Sequence, residues 1–170
     1  MSKTTDTLVP VNYFLEPGYI YLAEKPTAIS TVLGSSVSIC LYDGKRRIGG
    51  INHYRYPFTR DRKNSTAYYG NVAIITLIRM LCEDGSKMKH LKAQLFGGAH
   101  NSRISSRDIG SENVRVAKKI LDSKKVPVIS EDVGGQVGRK VVFRTDINEI
   151  IVIKVENLRS GDWFPYDNTR

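Results

Sequence analysis

Hydroxyls, glycines and an imidazole crowd into two short stretches of this sequence. The first is Ser30-Thr31-Val32-Leu33-Gly34-Ser35-Ser36-Val37, and the second, Gly49-Gly50-Ile51-Asn52-His53, follows after the length of a hairpin. A hydroxyl beside an imidazole is the minimal pair for nucleophilic catalysis: the ring takes the proton as the oxygen attacks, and a third hydroxyl or a carboxylate can orient the ring. Gly34, which reaches positive φ at little cost, is expected to make the tight turn that sets Ser36 at the mouth of its strand. The same residues also fit a plain turn with a hydrogen-bonded histidine and no chemistry. Spacing alone leaves both readings open.

The remaining candidates are poorer. His90 sits in the charged run Lys87-Met88-Lys89-His90, which reads as a solvated surface, and His100 follows Gly97-Gly98-Ala99 in a loop where backbone amides could line a site. Three histidines with Cys40 and Cys82 show no short metal-ligand spacing, so no metal is expected. The glycines form neither a P-loop nor a dinucleotide fingerprint, and no organic cofactor is expected either.

The elements that must position Ser36 and His53 are legible in part. In Ser36 to Tyr42, Val37, Ile39 and Leu41 alternate with Ser36, Ser38, Cys40 and Tyr42, the period-two pattern of a half-buried strand. Asp43-Gly44 turns the chain, and Ile48 to Tyr54 returns as the antiparallel partner, so that Ser36 and His53 can meet across the pair. Tyr19 to Ala23 reads as an earlier strand broken at Glu24-Lys25-Pro26, and the first dozen residues as a loose lead-in around Pro10. After a polar loop from Thr59 to Ser65, Ile74, Leu77, Ile78 and Leu81 give a helical face that Gly85 stops. A strand at Ala93 to Phe96 precedes a second helix from Ser111, the expected cap, to Leu121. Strands at Val126 to Ile129, Val141 to Arg144 and Ile150 to Val155 complete a mixed pattern in which helices cover sheets. Asp162-Trp163-Phe164-Pro165-Tyr166 is a tail that either packs back on the core or offers an aromatic anchor to a partner.

Composition bounds the rest. A chain of 170 residues, 41% hydrophobic and 25% charged, fits one globular domain spanning 1–170. No apolar run reaches the length of a membrane span, and Met1 to Asp6 lacks a signal-peptide core, so a cytoplasmic protein with two reduced cysteines and no membrane insertion is expected. The net charge of +9 attracts acidic partners. Its lysines and arginines are scattered in short groups without aromatic interleaving, which weighs against a nucleic-acid-binding domain, the remote alternative.

From about Tyr19 to Val155 the chain resembles the CheD family, the chemoreceptor glutamine deamidases of chemotaxis, leaving 156–170 as a tail. The matching pieces are Leu33-Gly34-Ser35-Ser36-Val37, Gly50-Ile51-Asn52-His53 with Pro57, Tyr69-Gly70-Asn71-Val72-Ala73, Gly97-Gly98-Ala99, Ile109-Gly110-Ser111-Glu112-Asn113-Val114 and Glu131-Asp132-Val133-Gly134-Gly135. The resemblance implies an α+β fold with α/β/β/α layers and two main helices packed outside. It also implies a nucleophile in the Leu-Gly-Ser-x-Val motif, a histidine base seventeen residues later and a supporting threonine six residues before, a place that holds serine here. Those places fall on Ser36, His53 and Ser30.

Where the family motif has a nucleophilic cysteine, this chain has serine. A thiol is partly ionised near neutral pH, whereas a serine hydroxyl must lose its proton during attack. Three readings of Ser36 stay open: a deliberate Cys-to-Ser change, a natural binding-only relative, or a working serine variant. Cys40 cannot substitute, lying about 13 Å further along the same strand face. The resemblance further implies hydrolysis of receptor glutamine amides, or of glutamyl methyl esters, through an acyl-enzyme, with amides of the Gly34–Ser35 turn holding the oxyanion. Implied partners are the cytoplasmic helices of chemoreceptors and a CheC-type phosphatase, and a monomer is expected. The competing reading is a catalytically inactive adaptor of the same fold.

Overall fold

The computed structural model describes residues 9–163, with Ser160 described in its backbone alone. Among the described residues, nine strands form two sheets. The four-stranded sheet has the order β1 (Val11–Phe14), β3 (Thr27–Leu33), β8 (Gly138–Arg144), β9 (Glu149–Val155). The five-stranded sheet runs β2 (Ile20–Leu22), β5 (Ile48–Asn52), β4 (Val37–Asp43), β6 (Leu91–Gly97), β7 (Val128–Val133). Both are mixed: β1 pairs parallel with β3 and β6 with β7, and the remaining pairs are antiparallel.

Two helices, α1 (Gly70–Glu83) and α2 (Ile109–Ser123), pack against the five-stranded sheet and against each other. The helical face expected from residue 74 to 81 is there, with Ile74, Leu77 and Leu81 fully buried. They meet Val37, Ile39 and Leu41, which project from one face of β4, in a continuous apolar cluster. A second cluster, Ile29, Leu33, Cys40, Ile51, Phe96, Val141 and Phe143, fills the space between the sheets. The α+β class and the two stacked sheets are as expected. Among the described residues the layers read helices, sheet, sheet. The far face of the four-stranded sheet leaves Ile151 and Ile153 half exposed, and the short α3 (Ser160–Trp163) contacts β3.

Several local expectations are corrected. β1 begins at Val11, inside the expected lead-in, and runs beyond it to Phe14, and β3 follows the Pro26 turn directly. The second helix starts at Ile109 and is capped by Asp108, whose carboxylate accepts from the Ser111 N–H at 2.9 Å, so Ser111 lies inside the helix. The strand expected from Val126 starts at Val128. Trp163 is buried, so that part of the tail packs back, and Phe164 to Tyr166 lie outside the described residues. No described helix is long and apolar enough to cross a membrane.

Candidate active site

Ser36 immediately precedes β4 and His53 immediately follows β5, the two strands of the expected hairpin. The ladder continues past their ends through a bridge between Val37 and Tyr54, with both backbone hydrogen bonds at 3.0 Å. This register sets Ser36 and His53 as diagonal neighbours on the face that looks toward the other sheet. Their side chains meet: His53 Nε2 lies 2.8 Å from Ser36 Oγ, and both residues are buried.

The hydroxyl on the other side of the ring is Thr31, whose Oγ1 lies 2.8 Å from His53 Nδ1. Ser30 is not in the constellation. Along β3 the residues Thr27, Ile29, Thr31 and Leu33 turn inward and are buried, while Ser30 takes the opposite face, where it pairs with Val142 of β8. A strand presents alternate residues to opposite faces, so a shift of one position exchanges a site residue for a surface one.

These contacts fix the proton positions. Thr31 Oγ1 is also 2.8 Å from the carbonyl oxygen of Leu15, and since a carbonyl can only accept, the single hydroxyl proton points there. Thr31 therefore accepts from His53, and Nδ1 carries the ring proton. The Nε2 lone pair is left to accept from Ser36. Burial pushes the imidazole pKa down to about 3, the Arg55 charge acts in the same direction, and the Leu15 carbonyl opposes them. His53 is consequently neutral at physiological pH, the state a general base requires.

Gly34 acts differently from the expected turn residue. It is absent from the positive-φ glycines, and its need is for space: a Cβ there would collide with the Asp162 carbonyl. The Ser35 hydroxyl donates to the Trp163 carbonyl, so the C-terminal segment is tied against the turn. Beside the pair opens a cavity of about 400 Å³, lined by Phe14, Glu16, Arg55, Tyr68 and Asp162 in addition to Ser36 and His53. A larger groove of about 670 Å³ between α2 and β7 contains neither member of the pair.

The other sequence candidates lie elsewhere. His100 stands 3.9 Å from Asp108 on the surface, His90 ends a one-turn 3-10 helix, and Cys40 is packed between the sheets, where burial pushes its thiol pKa well up. Sequence reasoning missed Thr31 as the orienting hydroxyl, and missed the contribution of Leu15 and of the C-terminal segment. The alternation of Thr27, Ile29, Thr31 and Leu33 was a signal for Thr31; nothing local pointed to Leu15 or Asp162.

A buried hydroxyl held by a neutral imidazole, with a polar cavity alongside, is suited to nucleophilic attack on a carbonyl carbon. Comparison with known proteins names the class. The family described as CheD chemotactic sensory transduction matches residues 56–154, from just beyond His53 through most of β9. The probable chemoreceptor glutamine deamidase CheD 1 of Anaeromyxobacter dehalogenans is 42% identical over 135 residues, 78% of each chain. The corresponding protein of Sulfurimonas denitrificans is 32% identical over 146 residues, 84% of this chain and 94% of that one. That of Trichlorobacter lovleyi is 36% identical over 135 residues, covering 78% and 84%. This chain belongs to the CheD family.

Proposed function

We propose that this single domain is a receptor-modifying amidohydrolase that converts glutamine side chains on chemoreceptors to glutamate, with Ser36 as nucleophile and His53 as base. The observation that carries this reading is the continuous relay from the Leu15 carbonyl through Thr31 and His53 to Ser36, each step 2.8 Å long. The names of the relatives supply the substrate class.

The chemistry follows from the proton positions. Ser36 Oγ bonds to the carboxamide carbon while its proton passes to His53 Nε2, and the carbonyl electrons move onto oxygen. When they return, the C–N bond breaks and His53 gives its proton to the departing nitrogen, releasing ammonia. Water then attacks the acyl-serine, with His53 again taking and returning a proton, which frees glutamate and restores Ser36. The reaction consumes one amide and one water and needs no cofactor.

Two features temper the rate. The depressed basicity of His53 makes proton abstraction from a hydroxyl uphill, and a serine oxygen reaches less far than the sulfur of the family motif, where small misplacements cost about 10²-fold. Turnover by the serine form is therefore slower than by a Ser36→Cys variant by about 10²-fold or more. The same substitution favours a second reading, an adaptor that binds receptor or a CheC-type phosphatase without turnover. The basic surface, net charge +9, suits acidic receptor helices as partners.

The test is incubation of the native chain, Ser36→Cys and Ser36→Cys/His53→Ala with a cytoplasmic receptor fragment, following amide loss by peptide mass and ammonia release. Conversion by Ser36→Cys that is abolished with His53→Ala supports the deamidase. Failure of both the native and Ser36→Cys forms, with folding and receptor binding intact, leaves the adaptor.

A further inference from the structure

Three sequence pieces named above, Gly97-Gly98-Ala99, Gly110 and Asn113, take no part in the proton relay, yet all converge on the nucleophile's turn. Each carbonyl of Gly34-Ser35-Ser36 accepts a hydrogen bond from one of these pieces. The Ala99 N–H donates to Gly34 O at 2.9 Å, the Gly98 N–H donates to Ser36 O at 2.8 Å, and between them Asn113 Nδ2 donates to Ser35 O at 2.9 Å. The second Nδ2 hydrogen goes to Arg55 O at 2.8 Å, two residues after His53. One fully buried amide thus ties the nucleophile's peptide to the strand that carries the base.

Its placement is built. A Cβ on Gly110 would collide with the carbonyls of Gly98 and Ala99, so only glycine lets the start of α2 close onto that loop. Asn113 lies three residues on, one turn along the same helix face. The Tyr54 hydroxyl, donating to Asn113 O at 2.7 Å, holds that turn from below. Asn113 Oδ1 has no partner among the described residues, so the amide is buried for the sake of its nitrogen.

A trans peptide is planar, with C=O and N–H pointing in opposite directions. Anchoring Ser35 O on the α2 side therefore turns the Ser36 N–H away from α2, toward the side where the cavity with Ser36 and His53 opens, and α2 lines no part of that cavity. We propose that Asn113 is a positioning residue for acyl transfer: by fixing the Ser35–Ser36 peptide it aims the Ser36 N–H at the oxyanion formed when the residue at position 36 attacks a carbonyl. The proposal rests on the acyl-transfer reading of this site, but not on the identity of the receptor substrate.

The experiment separates oxyanion support from nucleophile strength. In the Ser36→Cys protein, alkylation by iodoacetamide displaces iodide from a saturated carbon and needs no oxyanion donor. Acylation by p-nitrophenyl acetate forms a sulfur–carbonyl bond through a tetrahedral oxyanion and expels p-nitrophenolate. Adding Asn113→Ala is expected to lower the acylation rate by about 10²-fold, the usual scale for losing one oxyanion donor, while alkylation stays within about twofold. Asn113→Ser, which keeps one donor, is expected to fall between, and carries the comparison if Asn113→Ala does not fold. Equal losses in both reactions, or no loss in either, overturn the proposal. So does a Ser36→Cys protein that alkylates readily but does not acylate with Asn113 in place. Ester acylation without receptor conversion sinks the receptor-deamidase reading and leaves this one standing.

Discussion

The two faces of β4 carry opposite kinds of side chain for opposite reasons. Toward the helices, Val37, Ile39 and Leu41 are fully buried in one apolar cluster with Leu77, Leu81 and Leu95. Toward the other sheet, Ser36, just before the strand, and Ser38 come ahead of Cys40 and the apolar intersheet core. The first face is a packing surface whose value is the area removed from water. The second opens its end to a cavity and buries the Thr31 hydroxyl, the His53 imidazole and the Ser36 hydroxyl there in one linked series, while Ser38 Oγ has no partner among the described residues. One strand thus anchors the fold with one face and holds the reactive pair with the other, and damage to the two faces should look different.

The largest effect is expected on the packing face. Leu77→Ala, at a fully buried position on α1, is expected to lower unfolding free energy by about 3 kcal/mol in urea titrations. Activity per folded molecule should hardly change, because the relay lies across the sheet. A collapse of turnover with little loss of stability would erase the distinction between the faces.

Next comes Thr31→Val, which keeps the shape but removes the acceptor that fixes the Nδ1 proton. The ring then loses its enforced tautomer, and turnover is expected to fall by about 10- to 10²-fold with KM nearly constant. Ser30→Ala, on the outward face of the same strand, is expected to be silent in the same assay. The reverse result for the two neighbours would place β3 in the other register.

A smaller and more gradual effect concerns acid. The folded pKa of His53, about 3, lies below its ordinary 6.5, so between these values the unfolded chain binds more protons. Stability is therefore lost as pH falls through that window, at up to roughly 1.4 kcal/mol per pH unit from this one group. Asp43, Asp108, Asp132 and Asp146 all have pKa values held below 3.8, so they act at lower pH. Between pH 7 and 5, His53→Asn is expected to flatten the decline in urea midpoint; an unchanged slope would show that the ring protonates freely in the folded state.

How much of this was legible from residues follows the same division. The packing face announced itself, since Val37, Ile39 and Leu41 alternate and Ile74, Leu77, Ile78 and Leu81 repeat at helical spacing, both patterns set by burial. The hairpin and its Ser36–His53 encounter were legible because local turn chemistry fixes an antiparallel register. β1 escaped notice because all four of its residues are exposed and carry no burial signal. β3 hid because its inward face includes Thr27 and Thr31, hydroxyls satisfied by the Lys25 and Leu15 carbonyls and therefore tolerated inside. Choosing Thr31 over Ser30 required knowing which face of β3 meets the other sheet, a tertiary fact. Asn113 could be quoted as part of a motif, but its role depends on α2 closing onto a loop distant in sequence.

The most direct measurement of the central claim, a neutral histidine whose Nδ1 proton is committed to Thr31 and whose Nε2 faces Ser36, is nitrogen-15 NMR of His53 across pH. One tautomer is expected, protonated at Nδ1 and bare at Nε2, persisting from neutral pH to about pH 4 and becoming mixed in Thr31→Val. An imidazolium at pH 6, or a proton resident on Nε2, would contradict it.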